Sequence, residues 1–396
     1  MNWVKNHSII LIYHFVFFIL GYGVFSTSGT NYLIHLSIFY TALVSSYFLT
    51  SFAFAKKTSS LSIPFIDHPK TTLILFFSCI TLIILHFIYL KDFPALTAWG
   101  FEKNHEVVNF RRSITTNAFT LVNYIVSFNV KSIIPITLLL LIIKKKKKLY
   151  WILYILSSFY AFNLMQKSYI VVIHGPILIY CLFQKKWLHS LKYLIMCSSI
   201  VTILVTIHNP ELNTNNKENI VQQPDEINNE KMVNKKPSNG FTIINSLKKR
   251  IIIVPGKTVS GWFENIPKNL PFQYGNGYRF LTRLNGNEYI NYAQKLYPIM
   301  YPKHAKKGLK GNVNVASFMY EYANFGIYGL ILSGAFLGLL FLSIEKIFVN
   351  NLTLKLAVNL IPVLILSSQA ITTLLFSGGW GLSILLYLFI VKPNIK

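Results

Sequence analysis

Ten stretches of this chain are apolar over a length at or near what a helix needs to cross a bilayer, about 20 residues at roughly 1.5 Å each. They cover 8–25, 31–54, 71–90, 119–143, 149–165, 168–183, 190–207, 316–342, 354–375 and 378–391. Hydrophobic residues make up 53% of the sequence and charged residues 13%, against the ~25% charged residues of a soluble domain. A soluble fold is excluded on that ground. The chain is expected to be an all-α polytopic membrane protein of about ten helices, and the first span, preceded by Lys5 and lacking a small-residue cleavage site, is expected to be a retained anchor.

The formal charge of +25 would suit nucleic acid if the cations formed a folded patch, but they sit in short lysine runs between apolar spans. That is where a membrane protein keeps its cytoplasmic charge, so no nucleic-acid partner is expected; the bilayer is. Lys5, Lys56, Lys57, Lys70, the run Lys144 to Lys148, Lys185, Lys186, Lys192, Lys346, Lys355, Lys392 and Lys396 mark one side. The turns at 26–30 and 376–377 carry no cation. Ten spans with both termini on the cationic, cytoplasmic side are self-consistent. The segment 114–131, with Asn117, Asn123, Asn129 and Lys131, is too polar for lipid and is expected to be partly a re-entrant or surface helix. Gly175–Pro176 predicts a kink in the sixth span.

The chain divides into 1–207, with seven spans and an external segment at 91–113; a large external loop, 208–315; and 316–396, with three more spans. Within the loop, 208–240 is rich in Asn, Lys, Glu, Gln and Pro and nearly devoid of apolar residues. Such a stretch cannot bury enough surface to order itself and reads as a linker. The stretch 241–254 alternates apolar residues with Lys248, Lys249 and Arg250, as an amphipathic helix in the membrane interface would. The ordered part is expected to span 241–315.

The five arginines, Arg111, Arg112, Arg250, Arg279 and Arg283, all fall in the two external segments. A guanidinium grips phosphate with a planar fork where lysine offers a point charge. The plainer reading is a set of loop arginines snorkelling to headgroups. Glu321 opens the eighth apolar run and Lys167 sits at the turn before the sixth; ionisable groups at such depth are functional candidates, the alternatives being an interhelical hydrogen bond or ion pair and an end-of-helix lysine. His304 could act as a base or be one more polar loop residue. Cys79, Cys181 and Cys197 lie in apolar runs without disulfide or CxxC spacing, and no P-loop, HExxH or GxSxG occurs. No metal or cofactor is expected.

Three stretches resemble the Wzy-type O-antigen and capsular polysaccharide polymerases. The segment 312–338, NVNVASFMYEYANFGIYGLILSGAFLG, is similar to that family's late transmembrane entry, matching its Tyr–Ala–x–Phe–Gly–x–x–Gly run at Tyr322, Ala323, Phe325, Gly326 and Gly329. The second, 250–263, resembles its Arg–apolar–Pro–Gly stretch followed by an aromatic. The third, Gln166–Lys167–Ser168, stands where relatives often carry Gly–Ser–Arg. The resemblance implies a cofactor-free glycosyltransferase joining oligosaccharide repeat units carried on undecaprenyl pyrophosphate, at the periplasmic face of the inner membrane, with a separate co-polymerase setting chain length. It implies pyrophosphate binding by Arg250, Arg279 and Arg283 with Lys167, joined by Arg111 and Arg112, and a proton acceptor at Glu321 or His304. Trp262, Tyr278 and Tyr322 are candidates to stack on sugar faces, the alternative being the core of the loop subdomain or an interface belt. An O-antigen ligase shares this plan. A flippase would need a central polar cavity and usually internal repeats. A lipid-phosphosugar transferase would use an external acid such as Asp92, Glu102 or Glu106.

Overall fold

The computed structural model describes residues 2–53, 70–116, 118–208, 248–306, 311–349 and 351–391, with the single positions 245 and 308. Among them the chain is all helix and turn. Six helices are long and apolar enough to cross a membrane: α1 (Ser8–Ser28), α2 (Leu33–Ala53), α3 (Thr71–Leu90), α5 (Thr120–Ile143), α8 (Trp187–His208) and α13 (Ser317–Ile347). Between α3 and α5 lies α4 (Asn104–Thr116), and between α5 and α8 lie α6 (Lys147–Asn163) and α7 (Lys167–Phe183). The loop region supplies α9, a π turn at Lys249–Ile253 continued by Val254–Asn265, then α10 (Arg279–Asn285), α11 (Tyr292–Met300) and α12 (Pro302–Lys306). The chain closes with α14 (Leu352–Ile365), α15 (Ile371–Leu375) and α16 (Trp380–Ile390). The linker read at 208–240 lies, from 209 on, outside the described residues.

Helix α5 is buried on two sides and divides the interior. Ile136, Leu139 and Leu140 face a core built from α1, α2, α9, α13, α14 and α16. Ile134, Leu138 and Leu141 face a second core with α3, α6, α7 and α8. The i, i+4 spacing puts the two sets on opposite faces, so the almost wholly apolar part of the helix, 134–143, has no lipid-facing stripe to spare.

The eighth span departs from its expected form. A 31-residue helix would measure about 46 Å, well over a ~30 Å hydrocarbon core, and α13 is broken at Gly326 (φ +60°, ψ −136°). The arm 317–325 folds back along the helix. Phe318 and Gly334 both pack on Phe39 of α2, and a Cβ at Gly329 would meet the Glu321 carbonyl oxygen at 2.0 Å. Past the bend, Gly334 and Gly338 form a GxxxG pair that sets the α13 backbone on Phe39, Leu43 and Tyr47 of α2, and Ser46 Oγ donates to the Ala335 carbonyl at 3.1 Å. Small residues at such a crossing replace a hydrophobic driving force that lipid does not provide.

The amphipathic helix expected at 241–254 is described in part. Its part 241–244, 246 and 247 lies outside the described residues, and the described helix runs on through Pro255–Gly256 to Asn265. It lies against α1. Gly256 and Gly23 meet backbone to backbone, and Ser260 Oγ lies 3.0 Å from Thr27 Oγ1 and 2.9 Å from Ser28 Oγ. The helix survives Pro255 because a π turn precedes it, leaving room where proline brings no N–H. The same device precedes Pro135 in α5, at Asn129–Ile133.

Lys355, read above as a loop cation, is fully buried. Its Nζ pairs with Glu345 Oε2 and donates to the Lys5 carbonyl at 2.7 Å. The ion pair allows a lysine this far from water.

Candidate anion-binding site

At the end of the bundle opposite the five-lysine run, Lys167 lies within electrostatic reach of two cations from other elements. Lys167 opens α7, Arg111 comes from the amphipathic α4, and Arg250 lies in the π turn of α9. Lys167 feels the charges of both Arg111 and Arg250. Burial, then the neighbouring Arg112, holds the Arg111 pKa below the usual arginine value. Among the described residues no carboxylate or other acceptor pairs with Arg111, Lys167 or Arg250. Like charges gathered without a counter-charge cost energy, more so where water is partly excluded, and an anion relieves that cost.

The turn before α7 brings Lys167 to a half-buried position at the helix start. Met165 takes a positive φ of 54° while its side chain is buried; Gln166 is extended before the helix begins. His208, the last residue of α8, completes the cluster. It is buried, feels Arg111 and Lys167 beside the Met165 backbone, and neither ring nitrogen makes a well-formed hydrogen bond. Sequence reasoning passed over it, although an imidazole at the junction of a span and an external segment was a signal.

The other candidates are placed elsewhere. Arg279 is exposed, its guanidinium 4.9 Å from the Tyr289 ring centroid; Arg283, on the same short α10, is exposed. Arg112 is exposed beside Arg111. His304 lies in α12 near the Tyr301 ring, 6.4 Å between centroids, and Tyr301 in turn faces Lys257. Glu321 is half-buried in the back-folded arm of α13, with no hydrogen bond or ion pair among the described residues. Among the described residues no interaction joins Arg279, Arg283, His304 or Glu321 to Arg111, Lys167 or Arg250.

Two of the aromatic candidates are internal. Trp262 is fully buried and its indole N–H donates to the Val313 carbonyl at 3.2 Å. Tyr322 is buried, with its hydroxyl donating to the Ile266 carbonyl at 3.2 Å. Neither presents a ring face to solvent. Tyr278 is half-buried and stacks on Phe325 at 6.5 Å. Asn324 holds the loop beneath it: Oδ1 accepts from the Gly275 and Gly277 amides, both at 3.2 Å.

Among the described residues no group of three His, Cys, Asp or Glu side chains is placed to hold a metal. In comparisons with protein families, curated proteins and solved structures, nothing matches this chain.

Proposed function

We propose that the chain polymerises undecaprenyl-pyrophosphate-linked repeat units of an O-antigen or capsular polysaccharide at the periplasmic face of the bacterial inner membrane, in concert with a chain-length-regulating co-polymerase. The observation that carries this reading is the electrostatic reach of Lys167 to both Arg111 and Arg250, with no carboxylate partner among the described residues. A sugar diphosphate already holds its leaving group, so the reaction needs cations for the departing pyrophosphate and a base for the acceptor hydroxyl. The acceptor oxygen forms a bond to the anomeric carbon, the bond from that carbon to the pyrophosphate oxygen breaks, and the acceptor proton passes to the base. Cations fixed where the leaving charge develops are a large contribution in a partly dry site. A positioned base adds about 10²–10⁴-fold; His208 stands beside the cations, with Glu321 and His304 farther off.

Deleting the gene in its host and separating the surface polysaccharide on a gel tests the reading. Loss of the ladder with single repeat units still attached to lipid A core supports polymerisation. Long polymer retained on the lipid carrier means a ligase, and an unchanged ladder overturns both, leaving a flippase or a monosaccharide transferase. In complementation, Arg250→Lys and Arg111→Lys keep charge but lose the fork, and are expected to cut polymer synthesis about tenfold or more, while Arg283→Lys leaves it near wild type.

A further inference from the structure

A second cationic feature lies inside the bundle, at the seam between the two cores. A cavity of about 290 Å³ is enclosed by α5, α7, α14 and the chain from α15 to α16. Its polar wall holds Lys131, Gln166, Ser168, Tyr169, Ser368 and Gln369, and aliphatic side chains such as Ile136, Leu139, Val172 and Ile361 line the rest. Lys131 belongs to the π turn of α5, a distortion often found at functional positions. Its Nζ lies 5.9 Å from the Tyr169 ring centroid, and among the described residues it has no ion pair or hydrogen bond. An intramembrane lysine that is neither paired nor at a helix end is costly to keep. The Lys355–Glu345 pair, in the same chain, is how a lysine is buried for structure alone.

Two further features hold the cavity open. Pro176 and Pro362 lie in its wall, and neither brings an N–H, so the carbonyls of Val172 and Val358, which also line it, lack their usual i+4 donor. A polar backbone cannot be closed over by aliphatic packing at membrane depth; water accompanying an ionic group can donate to it. The helices are not simply apart here. A Cβ at Gly175 would meet Ile361 Cδ1 at 2.3 Å, and one at Gly379 would meet Ser132 Oγ at 2.3 Å.

We propose that this cavity binds an oxyanion-headed aliphatic chain, its phosphate or carboxylate at Lys131 and its first carbons against Leu139, Val172 and Ile361. Its wall adjoins the Lys167 turn through Gln166 and Ser168 but does not include Arg111, Lys167 or Arg250, and the proposal stands whether or not the chain is a polymerase. One cation with amides and hydroxyls suits a single oxyanion, and the aliphatic majority of the wall suits a hydrocarbon tail better than a sugar ring.

The test uses the full chain in nanodiscs of zwitterionic lipid, with submicellar dodecyl phosphate, dodecanoate, dodecanol or inorganic phosphate, read by thermal unfolding and by native mass spectrometry. A raised Tm and a one-to-one adduct are expected with at least one of the two anionic chains and not with dodecanol or inorganic phosphate; which anion binds tighter tells a lipid-phosphate head from a fatty-acid head. Lys131→Gln is expected to weaken binding at least tenfold, and Val172→Trp, which fills the cavity, to abolish it. Dodecanol acting as well as the anions overturns the role of Lys131. Inorganic phosphate acting alone overturns that of the tail. Full binding in Val172→Trp, or no binding of either anionic chain to wild type, overturns the site, even should Lys131→Gln fail to fold.

Discussion

Glu345 ties three segments together through one carboxylate. Oε1 accepts from the Ile9 amide at 2.6 Å, Oε2 pairs with Lys355, and Lys355 reaches the Lys5 carbonyl. The Glu345–Lys355 pair itself is buried, so its value lies in its being complete. Removing one partner of a buried pair costs about 3–5 kcal/mol, whereas replacing both by apolar groups is often neutral. Lys355→Met is therefore expected to lower Tm sharply, and the double variant Glu345→Leu, Lys355→Met to recover most of the loss; equal Tm values for single and double variants would mean that the charges do not act as a pair. The sequence placed Lys355 among the cytoplasmic loop cations and Lys131 in the polar segment 114–131. Their partners tell the two apart in the fold, and those come from positions 10 and 38 or more residues away, in the structure's packing. Spacing along the chain does not carry that information.

Glycines decide how the helices meet, and two of them on α1 form an internal control. A Cβ at Gly23 would meet the Ile252 carbonyl oxygen at 2.2 Å, while one at Gly21 meets nothing within 4 Å. Gly23→Ala must push α9 outward and carry Arg250 with it, so it is expected to lower both Tm and polymer synthesis. Gly21→Ala should be neutral or raise stability by up to ~1 kcal/mol, as helix propensity dictates; matching Tm values for the two would refute the close crossing. Gly326→Ala is the stricter case, since the bend of α13 uses a backbone region that side chains avoid at a cost on the order of 1–3 kcal/mol. A drop of several degrees in Tm is expected for it. The bend also gives physical content to the Tyr322–Gly329 run: Gly326 turns the chain and Gly329 lets the Glu321 carbonyl lie against the helix. Of the ten spans read from hydropathy, six are membrane-length helices among the described residues, legible because lipid imposes length and apolarity directly. The back-folded arm was not, because 317–325 and 327–347 are both apolar and only the positive φ of one glycine separates them. The continuation of α9 through Pro255 was missed for a similar reason, since a π turn has no sequence signature beyond the proline it accommodates.

Across the whole molecule, the cationic cluster joins parts of the chain that are far apart in sequence. His208 and Arg250 both lie within electrostatic range of Lys167, yet 39 residues separate His208 from Lys248. The connection is thus far longer than the gap it closes. A flexible segment of 13 residues spans about 18–22 Å root-mean-square, at 5–6 Å times the square root of its length. Replacing 209–240 with six Gly/Ser residues leaves a connection of that length. Loop closure then favours the shorter chain by about 1 kcal/mol, from the (3/2)RT ln n dependence. The composition of 208–240, poor in apolar residues, argues that nothing there contributes to the core. The replaced chain is accordingly expected to keep its Tm or gain slightly, and to restore a full-length polysaccharide ladder in the deletion host. A normal Tm with a lost or shortened ladder would assign 209–240 a part in substrate or co-polymerase contact; a collapsed Tm would mean the segment packs on the bundle, against its composition.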